Sequence, residues 1–142
     1  MSIFRTQVTP DILNSLSKNT LAEHLGIEFT AIGDDYLEAR MPVDARTHQP
    51  MGLLHGGASV VLAETLGSVG ATLCVDDSTQ YCVGLEINAN HLKGVRSGFV
   101  TGVARPIHIG RKTQVWEIRI SNERKEPVCV SRITIAVLDK KI

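Results

Sequence analysis

One segment of the sequence constrains the fold more than any other. From Gly56 to Val75 the chain is rich in alanine, leucine, valine and glycine, and Glu64 is its only charged residue. The segment is too long for an ordinary strand, and its apolar residues fall on nearly every side of a helical projection. It therefore predicts a long helix that is buried on most of its circumference.

Two short helices are predicted near the N-terminus. Thr9 is a suitable N-cap for a helix that begins at Pro10. Leu21–Leu25 forms the second helix. The apolar stripe of the first helix is predicted to consist of Ile12, Leu13 and Leu16.

Six segments have the composition of strands, and two of them precede the long helix. The apolar face of an antiparallel sheet must pack against another element, and a helix that is apolar on most sides must be surrounded by other elements. The sequence thus predicts an α+β fold in which one sheet wraps one long central helix, as a single domain of residues 1–142. The predicted strands are Ile27–Ile32, Tyr36–Val43, Tyr81–His91, Phe99–Ile109, Thr113–Ser121 and Val128–Leu138.

Charge and composition exclude several classes of partner. The 15 basic residues balance the 15 acidic residues, whereas nucleic-acid and membrane-surface binders usually carry net positive charge. The N-terminus lacks the basic start and apolar run of a signal peptide, and Glu64 makes the long apolar segment a poor membrane span. We expect a cytoplasmic protein with no nucleic-acid or membrane partner.

Nothing in the spacing of cysteine and histidine indicates a metal site. Cys74, Cys82 and Cys129 form no CxxC or CxxxH pattern, and no HxxH pattern is present. We expect three reduced, mostly packed thiols, no metal and no cofactor.

The start of the long helix is a candidate site for an anion or a developing oxyanion. His55 is followed by Gly56 and Gly57, the first N–H groups of a helix lack internal partners, and the dipole is positive at that end. Gln49, in the preceding loop, could donate an N–H to a carbonyl oxygen. An ordinary glycine-rich helix start and a solvated loop amide are the alternatives.

Glu64 is the candidate catalytic acid, and Ser68, four residues later, could orient its carboxylate or a water molecule. The alternatives for Glu64 are a solvated face or an ion pair with a distant arginine. Along a helix, His55 and Glu64 point in roughly opposite directions and lie about 13 Å apart. We therefore expect a two-fold dimer in which Glu64 of one subunit faces the helix start of the other.

Two basic groups, His91–Arg96 and Arg105–Lys112, fall at the ends of predicted neighbouring strands. We expect both near one edge of an antiparallel hairpin. There they could bind the phosphates of a nucleotide-bearing substrate, although charged loops are usually only solvated.

The segments HQPMGLLHGGASVVLAETLGS, VGLEINANHLKGVRSG and PIHIGRKTQVWEI resemble those of hotdog-fold acyl-CoA thioesterases. Within that family the chain resembles more closely the naphthoyl-CoA hydrolases of menaquinone synthesis and the thioesterases that proofread enterobactin synthesis. The resemblance covers roughly residues 9–138.

The resemblance implies a role for each candidate residue. Glu64 would be nucleophile or general base, Gly56 would supply the oxyanion N–H, Gln49 and His55 would hold or polarise the carbonyl, and Ser68 would position the carboxylate or water. It also implies dimers of dimers with sites between subunits. The segments expected to contact coenzyme A contain Gly84, His91, Leu92, Lys93, Gly94, His108, Ile109, Gly110, Arg111, Lys112 and Thr113.

The expected function is hydrolysis of an aromatic acyl-CoA, such as 1,4-dihydroxy-2-naphthoyl-CoA, to a free acid and coenzyme A. Coenzyme A is then part of the substrate rather than a cofactor. One alternative is hydrolysis of aroyl groups misloaded on the phosphopantetheine arm of an acyl carrier protein. Another, from a different class, is a non-catalytic acyl-CoA-binding domain.

Overall fold

A computed structural model describes residues 1–141. It contains three helices and six strands, and the strands form a single antiparallel sheet in the order β1-β2-β4-β5-β6-β3. The elements in chain order are α1 Pro10–Leu16, α2 Leu21–His24, β1 Glu28–Ile32, β2 Leu37–Pro42, α3 Gly56–Leu73, β3 Gln80–His91, β4 Phe99–Ile109, β5 Thr113–Ser121 and β6 Pro127–Asp139.

The sheet curves around α3, which confirms the predicted α+β architecture. One face of the helix packs on residues that alternate along β4, β5 and β6, the period-2 pattern of a half-buried sheet. Trp116 of β5, fully buried, packs closely against Gly70 of α3. The core therefore lies between α3 and the concave face of the sheet.

The expected burial of α3 on most of its circumference is only half correct. Gly57, Glu64 and Thr72 are exposed, and Val61 and Ser68 are half-buried. These residues recur at intervals of three or four and so form one stripe along the helix. Within residues 1–141 of one protomer, no other element covers this stripe of α3.

Strand β3 is an edge of the sheet, because it pairs only with β6. It is 12 residues long, and Tyr81, Val83 and Leu85 are exposed along it. A long, exposed and partly apolar edge strand offers unpaired N–H and C=O groups to another strand. A protomer therefore presents two incomplete surfaces next to each other, the stripe of α3 and the edge of β3.

The N-terminal helix α1 buries fewer apolar side chains than its sequence predicts. Thr9 caps α1 by accepting a hydrogen bond from the Ile12 N–H at 3.3 Å, as expected. Only Leu13 of the predicted stripe is buried, whereas Ile12 and Leu16 are exposed. None of the helices in residues 1–141 combines the length and hydropathy needed to cross a membrane.

Candidate active site

The start of α3 carries an available backbone donor. His55 is the N-cap residue, and its Nδ1 accepts the N–H of Gly57 at 2.7 Å. The N–H groups of Ala58 and Ser59 both donate to the carbonyl of His55. The N–H of Gly56 donates no hydrogen bond within residues 1–141, and the helix dipole favours negative charge beside it.

A cleft of about 400 Å³ opens at this helix start. Its walls combine the loop before α3, the first turn of α3 and the segment that follows β3. Six of the residues expected to act on the substrate line it, together with four that the sequence did not single out. The lining residues are Gln49, Leu53, Leu54, Gly56, Ser59, His91, Leu92, Lys93, Gly94 and Val128.

The loop before α3 is held in place by backbone hydrogen bonds, so that Gln49 is oriented into the cleft. The N–H of Gln49 donates to the carbonyl of Leu53 at 2.8 Å, and the N–H of Leu54 donates to Val95 at 2.8 Å. The side-chain carbonyl of Gln49 accepts the N–H of Met51. Its amide N–H groups donate no hydrogen bond within residues 1–141 and can donate to a carbonyl oxygen in the cleft.

His91 and Lys93 form the opposite wall. The imidazole of His91 packs against Gly56, where an added Cβ would lie 2.8 Å from Nε2. A side chain at position 56 would therefore displace the ring. The ammonium group of Lys93 forms an ion pair with Glu126. Lys93, followed by Asn122, lowers the pKa of Glu126, so the charge of Lys93 is already partly compensated.

Glu64 lies outside this cleft, on the uncovered stripe of α3. Its side chain forms no ion pair or hydrogen bond within residues 1–141, so the alternative of an ion pair with a distant arginine is wrong for one protomer. The carboxylate rests against Gly84 of β3, where an added Cβ would lie 2.6 Å from Oε2. Glycine at position 84 thus makes room for the carboxylate.

Ser68 follows Glu64 by one turn and lines a second cleft, of about 460 Å³. This cleft separates α3 from the N-terminal helices, and its walls are mostly apolar: Leu13, Leu16, Leu21, Phe29 and Val69 all contribute. An apolar cleft beside a free carboxylate suits the hydrocarbon part of a substrate.

One chain does not bring the two halves of the expected site together. Gly56 and Glu64 are separated by about 12 Å along the helix axis, and Glu64 does not line the cleft at Gly56. This separation along the helix is the reason why the sequence predicts a site between two subunits.

The expectation that the two basic groups meet at one edge of a hairpin is wrong within a protomer. Leu92–Arg96 precedes β4, whereas Gly110–Lys112 follows it. The full length of β4, on the order of 30 Å, therefore separates the two loops. Gly110 and Arg111 line a small crevice at the far end, and Lys112 lines a neighbouring one.

The turn between β4 and β5 is flanked by His108, Ile109 and Thr113. The N–H of Gly110 donates to the carbonyl of Thr113 at 2.8 Å, which closes the turn between β4 and β5. Ile109 lines the crevice beside Gly110.

Sequence reasoning missed four residues of the first cleft: Leu53, Leu54, Ser59 and Val128. The first three belong to or adjoin the motif around His55, so their closeness to Gly56 in sequence was a usable signal. Val128 comes from β6, and only the sheet topology brings it to α3.

The three cysteines are free thiols. Burial, followed by the neighbouring Cys82, raises the pKa of Cys74 to about 11. Burial also raises the pKa of Cys82 and of Cys129. At neutral pH all three are protonated, so none is a candidate nucleophile.

A family model described as the thioesterase superfamily matches residues 51–129, more than half of the chain. The chain belongs to the thioesterase superfamily. The match includes the start of α3, Glu64, Gly84 and the lining residues of the first cleft apart from Gln49.

Two curated relatives cover nearly the whole thioesterase chain. The 1,4-dihydroxy-2-naphthoyl-CoA hydrolase of Escherichia coli is 52% identical over 136 residues, which are 96% of this chain and 99% of that protein. The proofreading thioesterase EntH of Cronobacter turicensis is 54% identical over 136 residues, 96% and 98% of the two chains.

A solved structure confirms the fold. It is a glutamine-to-alanine variant of a thioesterase from Pseudomonas aeruginosa, with a TM-score of 0.96 and 57% identity over 98% of this chain and 100% of that one. The expected hotdog fold and the expected class of enzyme, a thioester hydrolase, are therefore confirmed. The hydrolase and thioesterase names of the relatives favour this class over a non-catalytic binding domain.

Replacing the N-cap tests the geometry of the helix start. His55→Ala should lower the free energy of unfolding by about 1 kcal/mol, because the Gly57 N–H loses its acceptor. His55→Asn should recover most of that loss, since a short amide oxygen can accept the same N–H. Urea denaturation of the three proteins measures both effects.

His24→Ala is the matched control, because His24 is exposed and its replacement should change stability by less than about 0.5 kcal/mol. Equal stability of His55→Ala and the wild type would contradict the capping role.

Proposed function

We propose that this thioesterase hydrolyses aromatic acyl-CoA thioesters at sites shared by two protomers. The observation that carries the proposal is a pair of groups on α3 that have no hydrogen-bond or ion-pair partner within residues 1–141: the N–H of Gly56 and the carboxylate of Glu64. Both groups lie against β3, the open edge of the sheet. Thioester hydrolysis needs a donor for the carbonyl oxygen, which the Gly56 N–H can be, and a base or nucleophile, which the Glu64 carboxylate can be.

Pairing of β3 with the same strand of a second copy would complete both surfaces. An antiparallel pair about a two-fold axis continues the sheet across the dimer and covers the exposed side chains of the edge. An axis between Ile87 and Asn88 sets Gly84 of one protomer opposite the partner's His91.

This register joins the two halves of the site. Glu64 rests on Gly84, and the ring of His91 packs on Gly56. Strand partners in such a pair are about 5 Å apart. Glu64 therefore faces the first turn of the partner's α3, and a thioester carbonyl fits between them. We propose a dimer of such dimers in the cytoplasm.

The donors of the helix start have a defined task in this site. The Gly56 N–H donates to the oxygen of the thioester carbonyl, whose negative charge grows as the carbon becomes tetrahedral. The free amide N–H groups of Gln49 donate to the same oxygen. His55 holds the first turn of the helix through the Gly57 N–H, so it positions the donor.

Glu64 acts on the carbonyl carbon in one of two ways. As a general base it takes a proton from water while the water oxygen bonds to carbon. As a nucleophile it bonds to carbon itself and forms an anhydride that water then opens. In both routes the carbon–sulfur bond breaks, the thiolate takes up a proton, and the products are an acid and a thiol. Ser68, one turn away, orients the carboxylate or the water.

The acyl group is proposed to occupy the apolar cleft beside Ser68. Its walls are mostly apolar, and Ser68 lies on the same stripe of α3 as Glu64. The Escherichia coli relative acts, by its name, on a naphthoyl thioester. We infer that an aromatic acyl-CoA of this kind is the substrate, which would assign the enzyme to menaquinone biosynthesis.

A carrier-protein thioester is the second candidate substrate. The proofreading thioesterase EntH is as similar to this chain as the naphthoyl-CoA hydrolase is. Thioester chemistry is the same for both, but only a CoA substrate brings a nucleotide. The basic loops are therefore the features that distinguish the two.

The proposed dimer offers the nucleotide a basic surface that one chain lacks. With the axis between Ile87 and Asn88, the Gln80 end of β3 lies opposite the partner's Val95. The loop that contains Lys93 then approaches the turn that contains Arg111 and Lys112 in the other protomer. The two basic groups would meet across the interface rather than within a chain.

Removing the acid of Glu64 tests the chemistry. Glu64→Gln should lower kcat by about 100-fold to 10,000-fold, because the amide can neither accept the proton nor attack the carbonyl. Glu64→Asp should cost on the order of 100-fold, since the carboxylate is displaced by one methylene. Thiol release from an aroyl-CoA, followed colorimetrically, measures both.

Glu23→Gln, on an exposed position of α2, is the control and should keep full activity. Full activity of Glu64→Gln would overturn the assigned chemistry.

A substrate panel tests the choice of acyl donor. We expect the highest kcat/KM for 1,4-dihydroxy-2-naphthoyl-CoA, followed by benzoyl-CoA, over a long-chain acyl-CoA and an aroylated carrier protein. Replacing Lys93, Arg111 and Lys112 by glutamine should then raise KM for the CoA substrates and leave that for the carrier protein unchanged. A higher kcat/KM for the carrier protein would favour the proofreading function instead.

A further inference from the structure

A crevice at the C-terminal end of α3 combines Arg111 of the basic turn with residues to which the proposed site gives no role. It has a volume of about 230 Å³ and lies between the N-terminal segment, the end of the helix and the turn between β4 and β5. Arg5 and Arg111 both line it. Gln80, at the start of β3, is also part of its lining.

The segment that carries Arg5 is anchored to the core. Phe4 is only 5% exposed and stacks on Trp116 with ring centroids 6.4 Å apart. The backbone N–H of Arg5 donates to the carbonyl of Leu73 at 2.8 Å, and that of Thr6 donates to the same oxygen at 3.3 Å. The backbone of Arg5 is therefore fixed at the end of α3, although it is the fifth residue of the chain.

The two guanidinium groups are uncompensated by ion pairs. Neither Arg5 nor Arg111 has a carboxylate within 4.0 Å among residues 1–141. Asp76 lies near Arg5, and its pKa is lowered chiefly by the two hydrogen bonds that Ser78 donates, with smaller contributions from Arg5 and Lys140. Asp139 lines the neighbouring crevice together with Arg111. Two cations thus line one small crevice, and this arrangement attracts an anion.

The buried amide in the crevice wall already has hydrogen-bond partners. Gln114 is fully buried, donates to the carbonyl of Ala71 at 3.3 Å and accepts the indole N–H of Trp116 at 2.8 Å. The neighbouring turn is closed by the hydrogen bond from the Gly110 N–H to the carbonyl of Thr113. The two arginines are therefore the groups of the crevice that can bind an anion.

We propose that Arg5, together with Arg111, binds a phosphate group of the nucleotide end of coenzyme A in this crevice. The inference rests on the proposed CoA substrate and adds a binding residue from the N-terminal segment. Cys74, in the crevice wall, lies about 15 Å along the helix axis from Glu64. A phosphopantetheine arm is long enough to join a thioester at Glu64 to a phosphate at this distance.

The test compares two thioesters of the same aromatic acid, one on coenzyme A and one on pantetheine, which lacks the nucleotide. Arg5→Gln should raise KM for the CoA thioester about tenfold, the value of a charge-assisted hydrogen bond. It should leave KM for the pantetheine thioester and kcat for both unchanged. Arg5→Lys, which keeps the charge, should recover part of the loss.

Arg119→Gln is the matched control, because Arg119 is an exposed arginine of β5 whose guanidinium lies beside Glu117. It removes the same net charge and should leave both KM values unchanged. A purely structural role for Arg5 would affect both thioesters equally and would appear as a lower melting temperature.

An unchanged KM of Arg5→Gln for the CoA thioester, or an equal effect on both thioesters, would overturn the inference. Neither result would affect the proposed function, which fails only if the wild-type enzyme does not hydrolyse the aroyl-CoA.

Discussion

The incomplete cover of α3 is the constraint on which the rest of this structure depends. Six strands wrap one side of the helix and leave a stripe that contains Glu64 and Ser68 open to solvent. The sheet ends beside that stripe in β3, a long edge strand with exposed apolar side chains. Because the open stripe of α3 and the edge of β3 are adjacent, one partner surface can cover both. A second copy of the chain has a strand that can pair with β3.

Local chemistry at α3 prepares the two groups that a shared site needs. The imidazole of His55 occupies the Gly57 N–H, which leaves the Gly56 N–H as the free donor at the positive end of the helix. The absence of a side chain at Gly84 allows the Glu64 carboxylate to lie against β3. Both arrangements belong to the protomer, so the proposed dimer has only to bring them face to face.

The sequence predicts the order and bounds of the elements well, because the hydrophobic period distinguishes strands from helices. The predicted bounds of β4 and β5 agree with the structure, and α3 begins at the predicted Gly56. Periodicity does not report how far apart two loops lie: the basic groups around Lys93 and Arg111 fall at opposite ends of β4. Nor does it indicate what a terminal residue touches, so Arg5, which is anchored through Phe4 and Leu73, carries no sequence signal.

Subunit complementation is the most direct measurement of the central claim, that Glu64 of one protomer works with the helix start of another. Glu64→Gln and Gln49→Ala chains, each of low activity alone, would be co-expressed in equal amounts and assayed as mixed oligomers. With random assortment, about one quarter of the sites receive an intact acid and an intact donor from different chains. We expect the mixed oligomers to recover about one quarter of wild-type activity. Activity no higher than the mean of the two separate variants would contradict it.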